Sequence, residues 1–201
     1  GVSTERIAID GIPATVFRPA SAEPAPAVVI AHGFAGSQQL MQSFALALAR
    51  NGYLAVTFAF AGHGRNPAPL TGSITEVSGA TRTLVAETAK VAAVARGLGD
   101  GRLAVLGHSM ASDIVVRFAQ ETPNIAATIA VSMFSPAVTA DSPRNLLVIV
   151  GDWEGFLKAE ALRAVGLLSA PAVAQPGVTY GLPADGNARR TAFSPGVEHV
   201  A

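Results

Sequence analysis

Three short stretches of this chain are apolar at every position: Ala27–Ala31 (AVVIA), Leu103–Leu106 (LAVL) and Leu146–Val150 (LLVIV). A strand with one wet face alternates apolar and polar residues, so a run without any polar position has to be covered on both sides. Strands of that kind belong to parallel sheets, and parallel neighbours need long crossovers, usually helical. The rest of the chain supplies them. Gln38 to Arg50 has apolar residues at helical spacing and stops at Asn51-Gly52, a helix C-terminus. Thr75 to Arg96 is a long helical stretch ended by Gly97 and Gly99, and Ser109 to Gln120 is a third, stopped by Pro123. Tyr53 to Phe60 and Ile125 to Met133 read as further strands, and Lys158 to Val165 as helical. At the front, Ile7 to Arg18 alternates loosely around Asp10-Gly11 and reads as a hairpin. The expectation is an α/β fold, with a mostly parallel sheet between helices.

Composition narrows what such a domain can do. With 201 residues, half of them apolar, the chain is long enough for one domain with its own core, and no repeat or linker divides it. Much of the apolar share is alanine, which predicts small residues where helices meet the sheet. Fourteen basic residues balance fourteen acidic ones without any Lys/Arg cluster, which leaves no electrostatic footprint for nucleic acid or an anionic membrane. No run approaches the roughly 20 apolar residues of a membrane span. Cysteine is absent, so disulfides, thiolate metal sites and Cys nucleophiles are excluded and no compartment is favoured. No Gly-rich segment carries the G-K-[ST] or G-x-G-x-x-G of a nucleotide site, and no metal or cofactor is expected. The chain begins at Gly1 and stops at Val200-Ala201, so processing or truncation at both ends is expected.

The chemistry gathers where strands hand over to helices. Leu103 to Ala111 (LAVLGHSMA) is a buried strand, then Gly107-His108-Ser109-Met110-Ala111, then a helix. This resembles the nucleophile elbow, G-x-S-x-G, of the α/β-hydrolase family, in which a sharp strained turn exposes the serine and small flanking residues let strand and helix pass closely. Gly107 meets that need, and Ala111 replaces the second glycine with one extra methyl. Taken alone, Ser109 would also suit a helix N-cap. The resemblance makes Ser109 the nucleophile.

Three more segments carry the likeness, in the family's order. Ala31-His32-Gly33-Phe34-Ala35-Gly36-Ser37 resembles the HG loop after an early strand. By the resemblance, the backbone N–H groups of Phe34 and Met110 form the oxyanion hole, while the His32 side chain is structural. Phe60-Ala-Gly-His-Gly-Arg65 resembles the family's D-x-x-G-H-G-x-S segment, with Ala59 in place of the common aspartate and Asn66 in place of the serine. His63 and Arg65 there are read as structural. Gly151-Asp152-Trp153-Glu154 resembles the turn presenting the triad acid; Glu154 is the expected carboxylate and Asp152 the alternative. His199, last in the chain and outside the motifs that hold the other three histidines, is the expected general base.

The resemblance therefore implies an α/β-hydrolase fold acting as a serine carboxylesterase on a small ester through an acyl-enzyme. Only about a dozen residues separate the strands near Met133 and Leu146, too few for a helical lid, as in dienelactone-hydrolase-like members. Phe34, Met133 and Phe134 are the expected apolar wall beside the serine. A peptidase or thioesterase on the same fold, or a non-catalytic module of a longer protein, are the alternatives. Because only Val200 and Ala201 follow His199, the family's C-terminal helix is expected to be missing, with the sheet face it would leave bare covered either by additional residues of the natural protein or by a homodimer.

Overall fold

The computed structural model describes residues 1–73, 79–133, 135–137, 145–151, 172–175, 178–181 and 190–194. Strands β1 (Ser3–Ile9) and β2 (Ile12–Arg18) form the expected hairpin, in register from Ser3↔Arg18 to Ile9↔Ile12. Its turn residues Asp10 (φ 48°) and Gly11 (φ 84°) are both left-handed, the combination a two-residue type I′ turn requires.

The apolar runs become the middle of a sheet. β3 (Ala27–Ala31), β4 (Leu54–Phe58), β5 (Leu103–His108), β6 (Ala127–Val131) and β7 (Leu146–Gly151) are joined by β10 (Arg190–Ser194), while β8 (Ala172–Gln175) and β9 (Val178–Gly181) pair separately. The eight-stranded order is β1-β2-β4-β3-β5-β6-β7-β10, antiparallel across β1, β2 and β4 and parallel from β4 onward. β3 and β4 are buried at every position, β3 as its unbroken apolar sequence required and β4 with the one polar residue, Thr57, donating to Gln38 Oε1 (3.3 Å). The strand expected to run to Phe60 stops at Phe58: opposite Ala59 stands Pro13, whose carbonyl accepts the Ala59 N–H (2.9 Å) but which has no N–H to return a second bond.

Helices cover both faces. α1 (Gln42–Arg50), preceded by a 3₁₀ turn over Gln38–Met41, lays Ala45 and Ala49 on the side of Val28, Ile30 and Leu106. On the opposite side α2 (Ala80–Leu98) and α3 (Met110–Glu121) pack Leu84, Val91, Ala95, Ile114 and Phe118 against Val29, Val56, Phe58 and Val105. The buried alanines allow close helix–sheet approach, as the composition predicted. Among the described residues no helix is long and apolar enough to cross a membrane. The expected helix Lys158–Val165 and the segment in which a final helix would be sought lie outside the described residues. On the α1 side, Ala104, Ile129, Leu147 and Ile149 of β5–β7 remain half-buried, whereas Val105, Ala130, Leu146 and Val148 on the other side are buried. Inside β6, the Thr128 hydroxyl is buried without a hydrogen-bond partner.

Candidate active site

Ser109 sits between β5 and α3 with φ 54° and ψ −119°, a conformation costly for any residue with a Cβ. It is held there from both sides. Its N–H donates to the Val131 carbonyl at the end of β6 (2.9 Å), and its carbonyl accepts the Ser112 N–H (2.9 Å) and hydroxyl (2.6 Å). The tightness of the turn explains its neighbours. A Cβ on Gly107 would collide with the Ala111 backbone and lie 2.9 Å from the Ser112 nitrogen, so only glycine fits. Ala111 is fully buried, and its methyl is accommodated. Met110 is the first residue of α3, so its N–H is one of the donors the helix itself leaves unpaired.

The segment after β3 arrives on the other side of the serine. A Cβ on Gly33 would lie 3.0 Å from the Ser109 Cβ and 3.2 Å from His108 Nδ1, so bare backbone is what reaches Ser109. Ala35 follows with φ 55°, and the Gly36 N–H closes a turn on the Gly33 carbonyl (3.1 Å). The Phe34 side chain projects outward, 58 % exposed, with its ring edge on His63 at 5.8 Å.

Two histidines brace this segment against the loop after β4. His32 is wholly buried; its Nε2 accepts the Phe60 N–H (3.1 Å), so its proton lies on Nδ1, which donates to the Gly33 carbonyl (2.7 Å). His63 repeats the pattern, with Nε2 accepting the Ala35 N–H (3.2 Å) and Nδ1 donating to the Ala61 carbonyl (2.9 Å). The two rings are 5.0 Å apart. Burial pushes His32 from the ordinary 6.5 down to about 4; its bond to Gly33 opposes the shift, and the neighbouring His63 and His108 add to it. Both braces require the neutral ring, because an imidazolium has no lone pair for the Phe60 or Ala35 N–H. The structural reading of His32 and His63 agrees with these contacts.

A second support was missed at the sequence level. Glu87 on α2 is buried and accepts the Ala61 N–H (2.8 Å) and Asn66 Nδ2 (3.1 Å), and Asn66 also donates to the Ala59 carbonyl (2.8 Å). The residues that depart from the family's loop pattern, Ala59 and Asn66, are thus tied directly to each other, and the carboxylate of Glu87 fixes Asn66 and the neighbouring Ala61 from another element. The signal was available: Glu87 falls three after Leu84 and four before Val91, on the apolar face of its helix.

Of the other expected site residues, Met133 is fully buried just beyond β6. His199, Glu154, Asp152 and Phe134 lie outside the described residues. Among the described residues, no group of three or more His, Asp or Glu is placed to hold a metal ion.

Comparison with known proteins gives the arrangement a context. A family model described as serine aminopeptidase, S33, matches residues 22–176. No curated protein sequence matches the chain. Among solved structures, TT1662 from Thermus thermophilus superposes with a TM-score of 0.74 at 18% identity, over 100% of this chain and 91% of that one. A predicted CIB-like hydrolase from Thermoplasma acidophilum gives 0.69 at 15% identity, over 99% and 89%. A candidate dienelactone hydrolase from Klebsiella pneumoniae subsp. pneumoniae MGH 78578 gives 0.62 at 19% identity, over 100% and 88%. At such identities the structural likeness speaks for the fold.

Proposed function

Since the chain belongs to the serine aminopeptidase S33 family of α/β hydrolases, we propose that it is a serine hydrolase that cleaves a small carboxylic ester through an acyl-enzyme on Ser109. The observation that carries this reading is the strained strand-to-helix turn at Ser109, against which the bare backbone of Gly33 is packed. Strain of this kind persists only where the surroundings enforce it, and Ser109 stays partly exposed at the turn.

In the proposed mechanism His199 takes the Ser109 proton as the hydroxyl attacks the acyl carbonyl, then passes it to the leaving alcohol. Glu154 holds the imidazole in the right tautomer and stabilises its charged form, with Asp152 as the alternative carboxylate. The Phe34 and Met110 N–H groups receive the developing oxyanion, each donor being worth about 3 kcal/mol of barrier lowering. Phe34 at the mouth, with Phe134, supplies the apolar wall, and Met133, expected beside them, is fully buried behind it. β6 and β7 pair directly, from Thr128↔Leu146 to Val131↔Ile149, and the short segment between them leaves no length for a helical lid. A site of that form suits small, exposed substrates.

The family's description as an aminopeptidase favours a second reading, in which the acyl group is an amino acid and the bond cleaved is an amide. One assay series decides. Labelling by a fluorophosphonate should be abolished by Ser109→Ala, and p-nitrophenyl acetate should be hydrolysed at least tenfold better than aminoacyl p-nitroanilides at equal concentration. Undiminished labelling of Ser109→Ala would overturn the nucleophile, and preference for the anilides would replace the esterase with the peptidase.

A further inference from the structure

Because β5 lies between β3 and β6 in the sheet, the residues that follow β6 are on the side of Ser109 away from the Gly33 loop, and these are bracketed to α3 by one carboxylate. Asp113, four residues beyond Ser109, accepts Arg117 Nε at one oxygen (2.7 Å), and at the other the Ser135 hydroxyl (2.7 Å) and the Ala137 N–H (3.3 Å). Gln120 Nε2 adds a bond to the Ala137 carbonyl (2.9 Å). Positions 113, 117 and 120 share one face of α3, so residues 135–137 are fastened along two turns of the helix that begins at the nucleophile. The pair is well shielded, with the Arg117 side chain 18% and the Asp113 side chain 15% exposed.

The near end of the same segment is equally constrained. Val131, whose carbonyl holds the Ser109 N–H, is followed by Ser132, buried, at φ 50°, with its N–H on the Ile149 carbonyl (2.7 Å). Met133 then turns fully into the core. A left-handed serine is strained and lasts only while both of its flanks are pinned. Ser109 and Ile149 pin one flank, and Asp113 pins the other.

We propose that Asp113 is a positioning residue that sets substrate specificity, fixing the wall of the site on the β6 side of Ser109 and so the size of the group accepted there. This rests on the reading of Ser109 as nucleophile. The oxyanion donors lie on the β3 side and at the start of α3, so loosening the bracket widens the site while leaving the attacking geometry in place. Asp113 is held by bonds to its own chain and touches no reacting atom.

The test uses the full chain with Asp113→Ala, the milder Ser135→Ala, and the two combined. Two ester series are measured, one varying the acyl chain on p-nitrophenol and one varying the alcohol on acetate, beside the rate of Ser109 labelling by a small fluorophosphonate. In one series, kcat/KM for the largest member relative to the smallest should rise about tenfold, the discrimination carried by a methylene or so of pocket. Labelling should change by much less, and the double variant should resemble Asp113→Ala, since both changes break the same bond. A parallel fall in labelling and in every ester would reduce Asp113 to a structural residue and overturn the proposal, as would unchanged ratios or additive effects. A wild-type chain that resisted the probe would instead sink the nucleophile reading, and this one with it.

Discussion

Acidification should attack this protein through His32 before most of its carboxylates respond. In the folded chain the ring is buried and neutral, with a pKa of about 4 against the ordinary 6.5. The unfolded chain therefore binds a proton here that the folded chain refuses. The stability tied to the neutral ring is fully present above pH 6.5 and drains away as pH falls toward 4. Each unit of difference corresponds to about 1.4 kcal/mol, so the whole window is worth about 3 kcal/mol, of which about 2 kcal/mol should go between pH 7 and pH 5. Protonation would also strip the acceptor from the Phe60 N–H, loosening the segment that reaches Ser109. Urea unfolding followed by circular dichroism at half-unit steps from pH 7.5 to 5 measures the loss directly. His32→Gln should be less stable at pH 7 but have a flatter profile, and subtracting the two curves removes the other histidines and the carboxylates. Parallel profiles for the two proteins would refute the reasoning, as would an NMR titration placing the His32 ring near 6.5.

Ser109→Gly should abolish turnover while stabilising the fold by about 1 kcal/mol in urea titrations, because glycine adopts φ 54°, ψ −119° without the cost of a Cβ; a destabilised variant would mean the turn is not strained. Thr128→Val should gain about 1 kcal/mol by replacing an unpartnered buried hydroxyl with a methyl of the same shape, read from the shift in the urea midpoint. Glu154→Gln should slow ester turnover by orders of magnitude and Asp152→Asn only mildly, since an amide cannot stabilise the imidazolium; the reverse ranking would transfer the role to Asp152.

What could be read from the sequence was whatever is local in the chain. The unbroken apolar runs at Ala27–Ala31 and Leu103–Leu106 announced strands covered on both faces, and the glycine before Ser109 announced a turn too tight for a Cβ. Partnerships across the chain were not readable. His32 with Phe60, and His63 with Ala35, each join residues 28 positions apart. Nothing in either segment alone says which backbone group its imidazole will meet. The same holds for Ala35 and Ser132, whose left-handed backbones are imposed on ordinary L-residues by tertiary hydrogen bonds rather than signalled by glycine or asparagine. Asp113 and Arg117, four apart on one helix, pair locally, but the hold of Asp113 on Ser135 depends on where β6 ends and was not read from the sequence.

The position of β5 in the sheet also sets the order in which the molecule can come to life. Its parallel neighbour β3 is separated from it in the chain by α1, β4 and α2, so the pairing Ala27↔Leu103 through Ala31↔Gly107 closes a long loop and depends on late, non-local contacts. That pairing brings Gly33 against Ser109, and β6 holds the Ser109 amide. On refolding from urea, helical circular dichroism should therefore return first, with capacity for fluorophosphonate labelling appearing only in the final phase. Labelling that recovered ahead of the last structural change would show that the elbow assembles without the sheet around it.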